Sequence, residues 1–174
     1  MSRFACSMLL LLKLGRCEAW AARAVPRGSR GCVRCSALPS DVDLFEEPAA
    51  IAAAKAVEWT HLLLDDELAT GLVEASFIRT SAVATTGSGA PVVLLHSFDS
   101  SCLEWRRVLP LLNAAGVEAF ALDSLGWGFS STQNATSIGV ESKRDHLRAF
   151  CQQYLHGRPA MLVGLSCLLA SRMA

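Results

Sequence analysis

Pro91-Val92-Val93-Leu94-Leu95-His96 is a continuous apolar run ending on a histidine, and its reading decides the fold. A run without polar alternation suits a strand covered on both faces, as in a parallel sheet wrapped by helices. Downstream, Trp105, Val108, Leu109 and Leu112 fall at i, i+3, i+4 and i+7, which predicts the core side of a helix ending near Gly116. Val117 to Leu122 reads as a second buried strand closed by Asp123, and residues 124–137 as loop. Helix is expected again from about Gly139 to Leu155. There Leu147, Phe150, Cys151 and Tyr154 share one side, Lys143, Arg144 and Arg148 point outward, and His146 and His156 are placed at the surface. Gly157-Arg158-Pro159 turns the chain into a third apolar strand, Ala160 to Val163. This alternation predicts an α/β fold with a mostly parallel sheet flanked by helices.

Upstream of the run, Thr85-Thr86-Gly87-Ser88-Gly89 reads as a turn, and Val73 to Thr80 as a strand following Gly71. From Asp41 to about Ala69 the chain is rich in Ala, Leu and Glu, and Pro48 sits where a helix can begin. Residues 36–70 are therefore expected to form a helical extension at the sheet's edge, with 71–174 as the α/β portion.

The first 35 residues differ in composition. Arg3, Lys13, Arg16, Arg23, Arg27, Arg30 and Arg34 face the single acid Glu18, although the 174-residue chain has net charge +0. An Arg-rich, acid-poor, Ser- and Ala-containing leader is the composition of an organelle transit peptide and is expected to be disordered. Val33-Arg34-Cys35-Ser36-Ala37 resembles a plastid processing site cut after Cys35, which points to the chloroplast, with the mitochondrion as alternative. A secretory signal fits less well, because Lys13 interrupts the short apolar run Met8 to Leu12 and arginines follow.

From Ser36 onward acids outnumber bases, so no basic surplus exists to hold phosphates, and nucleic acid is not an expected partner. No apolar stretch reaches the ~20 residues that span a bilayer. Of seven cysteines, Cys6, Cys17, Cys32 and Cys35 fall in the leader. Cys32-x-x-Cys35 lacks the second pair or preceding strand that a metal or redox site needs.

Three stretches carry chemistry. The loop His96-Ser97-Phe98-Asp99 ends the first buried strand. Asp123-x-x-Gly126-x-Gly128-x-Ser130 ends the second, its glycines permitting a tight turn. Val163-Gly164-Leu165-Ser166 ends the third and matches the first part of a Gly-x-Ser-x-Gly elbow, in which a strained strand-to-helix turn exposes a serine hydroxyl. A dinucleotide fingerprint fails on detail, because Ser131 stands at the third glycine and no helix begins there. His96, Asp99 and Asp123 match no metal-ligand spacing.

In this order and at this spacing the three stretches resemble the α/β-hydrolases. The wording His96-Ser97-Phe98-Asp99-Ser100-Ser101-Cys102-Leu103-Glu104-Trp105-Arg106-Arg107 and Leu125-Gly126-Trp127-Gly128-Phe129-Ser130 is similar to plant plastid members, over residues from about 50 to 166. The resemblance implies Ser166 as nucleophile, with the Phe98 and Cys167 backbone N–H groups as the oxyanion hole. His96, Ser97, Asp99, Asp123, Gly126 and Gly128 would form the surrounding loops. It also implies a small-molecule substrate with an ester or similar bond, and neither metal nor organic cofactor. Fold alone does not select that substrate.

Two positions depart from the family pattern. Ser97 stands where glycine is usual, and Leu168 occupies the last glycine of the elbow. In this family the acid and histidine follow the nucleophile in sequence, yet only Cys167 and Arg172 are ionisable after Ser166. The chain is therefore expected to be C-terminally truncated and inactive as it stands, with a noncatalytic remnant or interaction protein as the alternative. With no neighbour for the strand Ala160 to Val163, its bare edge is expected to impair solubility. Oligomeric state is not indicated by the sequence.

Overall fold

The computed structural model describes residues 38–82 and 89–164, together with the backbone of Leu10–Leu12. Its described strands are β1 (Leu10–Leu12), β2 (Glu58–Leu62), β3 (Val73–Arg79), β4 (Val92–Leu95), β5 (Ala119–Leu122) and β6 (Met161–Gly164). Among the described residues they form one six-stranded sheet in the order β1-β6-β4-β5-β3-β2. The three apolar runs make its parallel centre: β4 pairs with both β5 and β6, Leu95 standing level with Leu122 on one side and Gly164 on the other. The flanks are antiparallel, β3 on β5 and β2 on β3.

Side chains alternate across the sheet, and each face has its own core. Phe77, Val93, Leu95, Phe120, Leu122 and Leu162 lie on one face with Leu147 and Phe150. Ile78, Leu94, Ala119, Ala121 and Val163 lie on the other with Cys102, Trp105 and Leu109. The first face is aromatic: Phe77, Phe120, Phe150 and Tyr154 form a ring cluster with centroids 4.8–6.3 Å apart. Each such pair contributes ~0.5–1.5 kcal/mol beyond its buried area. On the second face Ala119 and Ala121 leave room for the Trp105 ring and for the helix α2 (Leu109–Ala114).

Several expectations need correction. Helix in the N-terminal extension is confined to α1 (Pro48–Lys55), which follows a short 3-10 turn at Ser40–Leu44. Glu58–Leu62, expected to be helical, is a strand because it pairs along its whole length with Val73–Arg79. The helix expected from Trp105 is split into a 3-10 turn, Cys102–Trp105, and α2. Trp105 and Leu109 reach the core, whereas Val108 is exposed. The helix α3 (Val140–Ala149) runs into one wide turn, Phe150–Tyr154. His146 is not at the surface: it is 1% exposed and buried with its neighbour Leu147, while His156 is exposed. In the full chain the edge of β6 is covered, because Leu10–Leu12 pairs antiparallel with it. The turn expected at Thr85–Gly89 lies outside the described residues except for Gly89.

Paired polar groups tie residues 36–70 to the segments that cover the two faces of the sheet. Glu47 accepts from Arg106 Nε at 2.7 Å and Arg107 Nε at 2.8 Å, and these two guanidinium groups hold its carboxyl below the usual carboxylate range. Beyond β2, the Gln153 side chain exchanges two hydrogen bonds with the Leu63 backbone, at 2.6 and 3.0 Å. The Asp65 N–H donates to the buried Asp145 carboxylate at 2.9 Å.

Candidate active site

Parallel strands deliver their C-terminal ends to one rim of the sheet, where loops from different strands can meet. Here the level row Gly164, Leu95 and Leu122 brings the exits of β6, β4 and β5 side by side. The loop at His96–Asp99 and the loop from Asp123 therefore lie next to each other. Gly164 is close enough to Leu95 that an added Cβ would sit 3.9 Å from the Leu95 Cβ. Ser166 and Cys167 lie outside the described residues.

Asp123 is fully buried and organises this rim. Its Oδ1 accepts the Cys102 N–H at 2.5 Å, and its Oδ2 accepts the Ser76 hydroxyl at 2.6 Å and the Phe129 N–H at 3.0 Å. A buried carboxylate is tolerated only when such donors replace its water. These bonds join β3, the turn at Cys102 and the loop after β5. Ser130 Oγ lies 3.0 Å from Ser76 Oγ and accepts the Ser76 N–H at 3.1 Å, closing the same group. Beside Asp123, burial and its carboxylate push the Cys102 thiol well above its usual range. Cys102 is accordingly an inert core residue.

Gly126 and Gly128 both have left-handed backbone, with φ +78° and +57°. At Gly126 a Cβ would come within 3.1 Å of Ile138 Cγ2, and at Gly128 it would collide with the Asp123 carboxylate. The glycines thus permit the turn, and Gly128 also makes room for the carboxylate that anchors it.

His96 is buried, and both ring nitrogens are engaged. The Ser124 N–H donates to Nε2 at 3.0 Å, which assigns the proton to Nδ1, 2.7 Å from the Ser97 carbonyl oxygen. In this arrangement His96 links the two loops, and neither nitrogen is open to a serine hydroxyl.

Ser97 is not among the residues with positive φ, so its side chain meets no left-handed-backbone strain; the left-handed residue in this loop is Asp99, with φ 57°. Ser97 instead donates twice to the Glu104 carboxylate, its N–H to Oε2 at 2.6 Å and its hydroxyl to Oε1 at 2.8 Å. Glu104 was not singled out by sequence reasoning, and its position seven residues downstream gave no motif to find it by. Phe98 is 70% exposed and meets the Trp127 ring edge-on at 4.9 Å. Lys143 Nζ lies 5.0 Å from the Trp127 ring centre, and partial burial lowers its pKa. Among the described residues no group of three or more His, Cys, Asp or Glu side chains could hold a metal ion, and no helix is long and apolar enough to cross a membrane.

No family model matches the chain. It is 40% identical over 129 residues to the alpha/beta hydrolase domain-containing protein VTE7 of Arabidopsis thaliana, a match covering 74% of this chain and 38% of that protein. The chain thus spans well under half the length of that curated relative. Among solved structures, a probable hydrolytic enzyme from Pseudomonas aeruginosa aligns with a TM-score of 0.53 at 17% identity, covering 67% of this chain and 36% of that one. A haloalkane dehalogenase from Bradyrhizobium elkani aligns with a TM-score of 0.47 at 21% identity, covering 62% and 33%. With its sequence shared with a plant hydrolase-domain protein, and its fold with a probable hydrolytic enzyme, the chain belongs to the α/β-hydrolase superfamily.

Proposed function

We propose that the chain forms the nucleophile-bearing portion of a serine hydrolase that cleaves an ester or similar bond in a small molecule. The carrying observation is the level pairing of Leu95 with Gly164. Two residues beyond Gly164 in sequence is Ser166, and three beyond Leu95 is Phe98. Ser166 Oγ attacks the carbonyl carbon, the carbonyl π electrons move onto oxygen, and the Phe98 and Cys167 N–H groups hold the resulting oxyanion. Supporting this role, the Phe98 N–H donates to no described residue, whereas the Ser97 N–H is already committed to Glu104.

The Ser166 proton needs a base, and His96 is unsuited because Ser124 and Ser97 occupy its nitrogens. Residues 167–174 offer only Cys167 and Arg172 as ionisable groups. Residues 36–174 alone are therefore expected to be inactive, and activity requires a chain that also supplies an acid and a histidine. The leader composition supports a plastid location. Neither metal nor organic cofactor enters this chemistry.

The test is hydrolysis of p-nitrophenyl esters by such a longer chain, with and without Ser166→Ala. A loss of about 10⁴-fold or more is expected from that substitution. Hydrolysis that survives it would sink the assignment. The second reading, a noncatalytic binding protein, is favoured by Leu168 at the last glycine of the elbow. It predicts no turnover of any ester by either chain.

A further inference from the structure

We infer that Glu104 is a positioning residue which, through Ser97, aims the Phe98 N–H. The inference rests on the proposed role of that N–H in holding an oxyanion. Ser97 gives both its donors to one carboxylate, with N–H to Oε2 at 2.6 Å and hydroxyl at 2.8 and 3.0 Å to the two oxygens. Such charge-assisted bonds are short and strong. The backbone that carries Glu104 is itself tied down: the Glu104 N–H donates to the Ser101 carbonyl at 2.9 Å, and the Cys102 N–H, two residues earlier, donates to buried Asp123.

The other end of Ser97 is fixed as well, since its carbonyl oxygen lies 2.7 Å from His96 Nδ1. No peptide bond in the described chain is cis. In a trans peptide the carbonyl and the following N–H point in opposite directions, so holding the Ser97 carbonyl at His96 turns the Phe98 N–H away from it. Glu104 on one side and His96 on the other therefore fix the rotation of Ser97 about both backbone bonds. Glycine at this position would keep the N–H anchor and lose the hydroxyl one. The serine that departs from the family pattern thus gains a hold on Glu104 that glycine lacks.

Amide hydrogen exchange of the 174-residue chain, read by NMR for the wild type, Glu104→Ala, Glu104→Gln and Ser97→Gly, tests this. Glu104→Ala is expected to speed exchange at Ser97 by about 10- to 100-fold, the loss of a bond to a charged acceptor, while β3 and β5 amides keep their protection. Glu104→Gln retains an oxygen for the Ser97 N–H and should restore most of the protection; Ser97→Gly, which keeps the N–H anchor and loses the hydroxyl one, should speed exchange at position 97 less than Glu104→Ala does. In a longer chain whose Ser166 reacts with a fluorophosphonate, Glu104→Ala should slow that reaction by about 10- to 100-fold, as misplacement of a catalytic group does. Unchanged Ser97 exchange in Glu104→Ala, or an unchanged reaction rate, would overturn the inference. The two readings fail separately: a wild-type Ser166 that never reacts counts against the hydrolase assignment, while exchange at Ser97 still decides the role of Glu104.

Discussion

Gly128 faces the Asp123 carboxylate so closely that one added carbon would take the place of its oxygens. The residue whose backbone makes the turn possible also leaves the space for the anion that holds the turn. Gly128→Ala is therefore expected to destabilise the fold by about 2–4 kcal/mol, combining a left-handed-backbone penalty with an overpacked contact. Gly157 separates the two terms, because it has φ +68° and nothing within 4 Å of an added Cβ. Gly157→Ala should cost only ~1 kcal/mol. Urea denaturation of both variants measures the difference; equal losses would remove the steric part of the argument.

Asp123→Asn tests the carboxylate itself. The three groups that reach its oxygens, from Ser76, Cys102 and Phe129, all donate. An amide offers one oxygen and turns an N–H donor toward the remaining donors, so a loss of about 3 kcal/mol is expected. A stability within 0.5 kcal/mol of wild type, roughly the scatter of neutral surface changes, would show that the charge is dispensable.

His146 gives the fold an acid sensitivity. Burial lowers its pKa to about 4 from 6.5, against a smaller opposing pull from Asp145, and neither ring nitrogen has a partner among the described residues. The unfolded chain binds a proton here at a higher pH than the folded chain does. Stability from this group is thus fully present above about pH 6.5 and is lost as pH falls toward about 4. The loss amounts to at most about 3 kcal/mol. Denaturation midpoints measured from pH 7 to 4 should fall in the wild type and flatten in His146→Leu; parallel curves would contradict this.

Residues 1–35 fused to a fluorescent protein should direct it to chloroplasts, with a mature N-terminus at Ser36. Import into mitochondria or secretion, followed by microscopy and N-terminal sequencing, would replace that assignment.

The central strands were legible in the sequence because Val92–Leu95, Ala119–Leu122 and Met161–Gly164 are almost wholly apolar, and burial on both faces demands that. Glu58–Leu62 was not legible, since its Glu, Thr and His suit no apolar pattern and its strand state comes from pairing with distant Val73–Arg79. His146 was hidden for a related reason. It sits between the charged Arg144 and Arg148, and only packing against the sheet shows that its side of the helix is buried. At the candidate site, His96, Asp123 and both loop glycines could be picked out from strand ends. The Ser97–Glu104 bonds and the tautomer of His96 could not, because they depend on where two turns meet in space.

The most direct test of the account is fluorophosphonate labelling with the adduct mapped by mass spectrometry, using residues 36–174 and a longer chain that contributes an acid and a histidine. The account predicts an adduct on Ser166 in the longer chain, none in its Ser166→Ala variant, and none on residues 36–174 alone. An adduct on a different serine, or labelling that persists after Ser166→Ala, would contradict it.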